Sequence, residues 1–312
     1  MKKHISIVTP CFNEEQNAEE IYRQVQAVFE KLPAYTYEHI FIDNASTDTT
    51  ADVLRTLAQK HHHVKIIYNA RNFGPVRSPY YGLLQAKGDA VICISADLQE
   101  PPTMIKTFLQ KWEEGFKIVA GVKTKSHESA LIFSLRKLYY KIASRISEVK
   151  LIKNFHGFGL YDKAVIELFR TIDDPYPYLR GLVSELGYKI AEIPYTQEAR
   201  LHGESKANFF VLYDWIMLGV TSHSKMPIRL TTIAGFFLAF ASFITSIVFI
   251  FMKLIFWSSF NLGMAPLLIG LFFFSSIQLF FIGLLGEYII SINTRVMKRP
   301  LVVEEGRINF DK

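Results

Sequence analysis

Asp97 lies in the run Ser95-Ala96-Asp97-Leu98-Gln99-Glu100-Pro101-Pro102, directly after the apolar stretch Ala90-Val91-Ile92-Cys93-Ile94. This order puts a carboxylate at the carboxyl end of a strand, the edge at which open α/β sheets bind ligands. An oxygen ligand there suits a hard divalent cation holding a diphosphate. Ser95 stands where a second carboxylate would complete an Asp-x-Asp pair.

Two further polar loops follow apolar runs, Thr9-Pro10-Cys11-Phe12-Asn13-Glu14-Glu15 and Ile42-Asp43-Asn44-Ala45-Ser46-Thr47-Asp48. At the carboxyl ends of neighbouring strands they could form the wall of a nucleotide site, with Asp43 accepting from a base edge or ribose and Phe12 packing on the base. Taken singly, each also reads as an ordinary helix cap. No Gly-x-Gly-x-x-Gly follows the first strand and no Gly-x-x-x-x-Gly-Lys-Ser/Thr occurs, which argues against dinucleotide and P-loop enzymes. His61-His62-His63 reads as a helix end rather than a metal site, because consecutive side chains diverge and imidazoles suit the helix dipole. Cys11 and Cys93 give no disulfide framework and point to a reducing compartment.

Five apolar, β-branched runs must position these loops: Ile5 to Thr9, His39 to Asp43, Val64 to Asn69, Ala90 to Ser95 and Lys117 to Val122. They alternate with helical patterns, which predicts a mainly parallel sheet with helical crossovers. Glu14 to Lys31 places Ala18, Ile21, Val25, Val28 and Phe29 on one helical face. Ser46 is placed to cap the next helix, and Pro101 and Pro102 to open one that runs to about Glu114. Ser126 to Ile146 reads as a basic amphipathic helix, either a solvated face or one in contact with lipid headgroups.

The second part of the chain has a different composition. From Leu230 to Gly286 the only formal charge is Lys253, which is read as snorkelling to the headgroups. A hydrocarbon core ~30 Å thick needs ~20 apolar residues, and Leu230 to about Phe256 and Ala265 to about Ile292 both suffice. Lys225 and Arg229 precede this pair of spans, Arg295, Lys298 and Arg299 follow it, and the turn Trp257 to Met264 is uncharged. The positive-inside rule then puts both flanks in the cytoplasm. Ala207 to Ser224, aromatic yet holding Asp214 and His223, reads as an interfacial helix. The amino terminus has no apolar h-region of a signal peptide. With 35 basic and 29 acidic residues the chain carries +6, which favours anionic partners. No basic stripe with interleaved aromatics points to nucleic acid.

The ordered set Pro10-x-Phe12-Asn13-Glu14-Glu15, Asp43-Asn44-Ala45-Ser46-Thr47-Asp48, Arg71-Asn72-Phe73-Gly74, Asp97-Leu98-Gln99-x-Pro101-Pro102 and Arg200-x-x-Gly203-x-Ser205-Lys206 resembles the family 2 polyprenyl-phosphate glycosyltransferases. Dolichol-phosphate mannose synthases and bactoprenol glucosyltransferases are members. The resemblance covers essentially the whole chain and implies an α/β fold, a GT-A type domain with interfacial helices and two C-terminal transmembrane helices. It implies transfer of a sugar, with inversion, from a nucleotide diphosphate sugar, by resemblance a uridine-linked hexose, to a polyprenyl phosphate such as undecaprenyl phosphate. Carried over, Pro10, Phe12, Glu14, Asp43 and Arg71 bind substrate, Asp97 and Gln99 face metal and diphosphate, and Arg200, Ser205 and Lys206 hold phosphates. The catalytic set is then Asp97, Arg200 and Lys206; an ordinary basic patch is the competing reading of the two cations.

Arg180 is expected either near the acceptor or in a structural ion pair, and Asn154 to Tyr161, with two glycines, at the sugar pocket. Arg77 reads as a further phosphate contact or a surface residue. Ser95 departs from the family pattern, so Mg2+ or Mn2+ is expected to bind more weakly than in relatives. The expected organisation is a catalytic domain over 1–206, an interfacial helix over 207–228, a membrane hairpin over 229–294 and a cytoplasmic tail over 295–312. A multi-pass protein of the cytoplasmic membrane, with both termini inside, would work with a flippase and a downstream glycosyltransferase, and could self-associate. A processive polysaccharide synthase is the competing enzyme, disfavoured because two spans frame no polymer channel and no Gln-x-x-Arg-Trp occurs. A non-catalytic nucleotide-sugar-binding scaffold is the competing non-enzyme.

Overall fold

A computed structural model describes residues 2–125, 151–198, 209–256 and 264–310. The parallel core comes from β1 (Lys3–Cys11), β2 (Tyr35–Asp43), β3 (Val64–Asn69) and β4 (Ala90–Cys93), joined through α1 (Ala18–Phe29), α2 (Thr50–Lys60) and α3 (Gly74–Gln85). α4 (Met104–Glu113) leads to β5 (Ile118–Lys125); β6 (Phe155–Asp162), α5 (Lys163–Thr171), α6 (Leu179–Glu185) and β7 (Ile190–Thr196) complete the second half. The five expected strands are all present.

The sheet order is β7-β5-β6-β4-β1-β2-β3, with one more strand beyond β3. β1 pairs in parallel with both β2 and β4, so the chain proceeds from β1 outward to β3 and then returns to the other side of β1. That reversal makes the carboxyl ends of β1 and β4 a topological switch point, the edge at which open α/β sheets bind ligands. Both faces are covered, as the continuous apolar runs require. On one face Ile5, Ile7 and Phe41 pack with Ile21 and Val25 of α1, Leu54 of α2 and Ile105 and Phe108 of α4. On the other Val8, Ile40 and Ile42 pack with Tyr80 and Leu83 of α3 and Val165, Ile166 and Phe169 of α5.

The segment 154–161 differs from its expectation. Most of it is β6, an interior strand antiparallel to both β4 and β5. Gly159 is there for packing, because a Cβ would stand 2.3 Å from the Val119 carbonyl oxygen. α1 also starts later than Glu14, because Asn17 and Ala18 donate their amides to the Glu14 carbonyl in a preceding turn. Ser46 does not cap α2: its hydroxyl turns back to the Asp43 carboxylate, and Asp48 accepts from the Thr50 amide at 3.0 Å.

Beyond the sheet, α7 (Phe209–His223) precedes α8 (Met226–Ile255) and α9 (Met264–Val296). α8 has no buried residue and, at 1.5 Å per residue, reaches roughly 45 Å; it and Ile269–Val296 of α9 are long and apolar enough to cross a membrane. Tyr213 of α7 donates to Glu287 of α9 at 2.6 Å, and Tyr288 donates to the Ser224 carbonyl at 2.9 Å.

The segment 295–312 is not a separate tail. β8 (Glu304–Ile308) pairs antiparallel with β3 and becomes the outer strand of the sheet. Asn309 donates to the Ala58 and Val64 carbonyls at 2.8 Å, and Arg77 gives its guanidinium to the carbonyls of Leu301 and Pro300. Arg77 thus holds the returning chain, which replaces both of its expected roles. Ion pairs from Arg295 to Asp174 at 3.4 Å and Lys298 to Asp173 at 3.0 Å tie the end of α9 to the loop before α6. The hairpin therefore leaves and rejoins one domain.

Candidate active site

The loops after β1, β2 and β3 are held by their own polar side chains. Asn13, at φ +56°, accepts at Oδ1 from the Thr47 amide at 2.7 Å and donates through Nδ2 to Thr47 Oγ1 at 3.1 Å. Its amide donates to Ser46 Oγ at 2.9 Å. Glu15 accepts from the amide and hydroxyl of Thr49, capping α2 from the neighbouring loop. Glu14 accepts from Asn17 Nδ2 at 2.6 Å. Phe12, Glu14 and Asp43 are thereby brought to one wall.

Asp43 is 3 % exposed and takes the Ser46 hydroxyl and amide on Oδ1. Burial pushes its carboxyl above the ordinary range, and Asp48 and Glu305 add to that shift against the Ser46 hydrogen bonds. An anion held in this way seeks a further donor, as a ribose hydroxyl or base N–H would supply. Pro10, half-buried, lies in the same wall one residue before Cys11.

Asn44, which the sequence reading did not single out, joins the second wall to the third. Its Oδ1 accepts from Asn69 Nδ2 at 3.0 Å and the Phe73 amide at 2.9 Å, and its Nδ2 donates to Asn72 Oδ1 at 2.9 Å. Phe73 is buried under Arg71, whose guanidinium lies 4.1 Å from the ring centroid. Arg71 itself is exposed at the rim.

Across the switch point, the loop after β4 turns sharply on Leu98 at φ +59°. Asp97 Oδ1 accepts from the Gln99 amide at 3.2 Å. Gln99 Nε2 donates to the Glu198 carbonyl at 3.4 Å, and the Glu198 amide donates to the Gln99 carbonyl at 3.2 Å. Behind the loop, the Glu100 carboxylate is buried and accepts from the Ser95 amide at 2.8 Å. Burial raises its carboxyl to about 8, with Asp97 adding to the shift and Ser95 opposing it. Glu100 and Glu198 were also missed from the sequence; the signal for Glu100 was a carboxylate five residues after the position that lacks one.

The start of β6 belongs to the same edge because β6 runs antiparallel to β4. Leu179 packs on Gly157, at φ +104°, so Arg180 in the first turn of α6 stands near that edge. His156 is exposed, with Nδ1 3.2 Å from the Asn154 carbonyl. Away from the site, His61 ends α2 and lies with His63 against Tyr22, at ring-centroid distances of 4.9 and 6.0 Å. Arg200, Ser205, Lys206 and the helix expected over 126–146 lie outside the described residues.

No cluster of three or more His, Cys, Asp or Glu side chains able to hold a metal is found among the described residues. Asp97 supplies one carboxylate at the edge, and with Gln99 Nε2 engaged by Glu198 its Oε1 is the remaining acceptor. Such a donor set fits a cation that arrives with diphosphate oxygens, as Mg2+ commonly does with one or two carboxylates.

The sequence and the fold match known proteins. The family model for glycosyl transferase family 2 matches residues 6–169, more than half of the chain. The chain belongs to glycosyl transferase family 2. One family 2 relative, the SfII prophage-derived bactoprenol glucosyl transferase of Shigella flexneri, is 33% identical over 297 residues, covering 95% of this chain and 96% of its own. An uncharacterized glycosyltransferase of Bacillus subtilis (strain 168) is 32% identical over 306 residues, covering 97% and 94%. In fold, the chain resembles glucosyl-3-phosphoglycerate synthase from Mycobacterium tuberculosis, solved in complex with Mn2+, UDP and phosphoglyceric acid. The TM-score is 0.50 and the identity 20%, over 70% of this chain and 76% of that one. The family 2 membership makes this chain a glycosyltransferase with the GT-A type sheet expected from its motifs, and its two long apolar helices fit membrane association.

Proposed function

We propose that this enzyme moves one hexose from a uridine diphosphate sugar to a polyprenyl phosphate, with inversion, at the cytoplasmic face of the membrane. The observation that carries the reading is the junction of two features. The carboxyl ends of β1 and β4 meet at a topological switch point, and the helical hairpin both leaves and rejoins that same domain. A polyprenyl acceptor keeps its tail in lipid and its phosphate at the surface, so a site at that switch point, on a domain joined to both ends of the hairpin, suits it. The bactoprenol glucosyl transferase relative supports the same acceptor class. Lys225, Arg229, Arg295, Lys298 and Arg299 flank the hairpin and favour the cytoplasmic side for the domain.

The chemistry needs little general base. A phosphate monoester has a second pKa near ~6, so the acceptor oxygen is already largely anionic at neutral pH. The larger obstacle is bringing two anions together, which fixed cations and a metal relieve by stabilising the charge that develops on the diphosphate. Asp97, with Gln99 Oε1, would hold Mg2+ or Mn2+ against that diphosphate. Asp43, Phe12, Pro10 and Glu14 would hold the nucleoside, and Arg71 would close the rim. Arg200, Ser205 and Lys206 are assigned to the phosphates, and Arg180 to the acceptor side. The hydrogen bond between Glu198 and Gln99 supports the first of these assignments, because the chain heads for Arg200 from beside Asp97.

The test is to incubate membranes containing the protein with a panel of labelled nucleotide sugars and undecaprenyl phosphate, then examine the lipid extract. A lipid carrying one sugar is expected. An insoluble polymer would indicate a processive synthase, and no transfer from any donor a binding scaffold; either would overturn the reading.

A further inference from the structure

Glu100 is a buried carboxylate at the active edge to which the assignments above give no role. It is 7% exposed, and its Oε2 accepts the Ser95 amide at 2.8 Å. Between these two residues the chain makes the left-handed turn at Leu98 and brings the Gln99 amide onto Asp97. Glu100 therefore closes the loop from behind while Asp97 is presented from it. Its surroundings are poorly suited to charge: Cys93, Tyr161 and Tyr195 lie near enough to feel it, and all three are buried. A carboxylate in such a place costs more than an amide or an apolar residue would.

What this carboxyl group holds is the one position where this chain departs from the Asp-x-Asp pattern. The amide N–H of Ser95, directly before Ala96 and Asp97, is fixed by the same group.

We propose that Glu100 is a positioning residue of the transfer reaction, clamping Ser95 through its amide so that Asp97 is held where the donor diphosphate needs it. The Ser95 and Glu100 pair thereby replaces, from inside the protein, the ordering that a carboxylate at position 95 would give. This inference rests on the proposed donor site.

The test uses the full-length protein in lipid nanodiscs, with Glu100→Ala, Glu100→Gln and Ser95→Ala compared with wild type. Three quantities are read: affinity for UDP with Mn2+ by calorimetry, kcat with separate KM values for donor and undecaprenyl phosphate, and the thermal midpoint. Glu100→Ala is expected to weaken UDP·Mn2+ binding and lower kcat by about tenfold, the scale of a buried donor left without its acceptor, while the acceptor KM holds. Glu100→Gln, which keeps an acceptor for the Ser95 amide, should fall about threefold, and Ser95→Ala, which keeps that amide, should fall less than that. A purely structural Glu100 would move the thermal midpoint and leave affinity and kcat of the folded protein unchanged, and that result overturns the inference. If Glu100→Ala fails to fold, unchanged affinity and kcat in Glu100→Gln overturn it equally. A wild type that binds UDP·Mn2+ but transfers no sugar would refute the functional reading while the binding data still judge the clamp.

Discussion

Gln99 and Glu198 exchange hydrogen bonds across the active edge: the Glu198 amide donates to the Gln99 carbonyl at 3.2 Å, and Gln99 Nε2 returns one to the Glu198 carbonyl at 3.4 Å. The loop that presents Asp97 is thus tied to the strand end that leads toward Arg200. A carboxylate at position 99 would supply more charge to a cation but would face the Glu198 carbonyl with no proton to give. Gln99→Glu is therefore expected to lower kcat/KM for the donor by about tenfold, on the scale of one lost hydrogen bond with an acceptor left facing an acceptor. Steady-state kinetics with a labelled donor checks this. A gain in activity would mean that charge at the cation outweighs the tie.

The Asn44 side chain serves four partners from a buried position, Asn69, Asn72, Phe73 and Gly74. Asn44→Ala leaves the Phe73 amide and Asn69 Nδ2 without it, at a cost of about 3 kcal/mol. Asn44→Asp keeps both acceptor contacts but places an acceptor opposite Asn72 Oδ1, and should fall between wild type and alanine. Thermal unfolding of the full chain in detergent gives the ranking.

Acid should weaken the fold through Glu38. Burial alone would raise this carboxyl, but hydrogen bonds from Lys65, Ser6 and the Lys87 amide bring it below its ordinary value. A carboxyl lowered in the folded state stabilises fully above its unfolded pKa, about 4.3, and loses that contribution as pH falls through the folded value. The thermal midpoint should drop below about pH 4.3. Glu38→Gln should lower the midpoint at pH 7 and flatten its dependence on acid.

Removal of residues 303–312 takes away β8 and leaves the β3 edge unpaired. An open edge of this kind templates association with other chains. The truncated protein is expected to aggregate or elute as large species in size-exclusion chromatography, although both apolar helices remain.

The parallel core was legible because its strands are apolar on both faces and alternate with amphipathic helices: Ile40 and Ile42 serve one face of the sheet, and Phe41 the other. The two long apolar helices were legible from length and composition alone. β8 was not, since Glu304-Glu305-Gly306-Arg307-Ile308 has neither alternation nor an apolar run; its place is fixed by the β3 edge and by Asn309 and Arg77. β6 was hidden by its two glycines, which the sequence suggests for a pocket; the Val119 carbonyl requires Gly159 for packing, and Gly157 takes a positive φ. Asp97 and Asp43 could be placed at strand ends because strand ends follow from the pattern. Asn44 and Glu100 could not, because their roles depend on which loops the fold brings together.

The most direct measurement is mass analysis of the lipid product formed by purified protein in liposomes from undecaprenyl phosphate and the donor chosen by the screen. The account predicts undecaprenyl phosphate carrying one hexose of inverted anomeric configuration. Asp97→Ala should lower its formation by at least about a hundredfold, as loss of a group that stabilises developing charge does. A product with retained configuration or several sugars, or an Asp97→Ala protein as active as wild type, would contradict it.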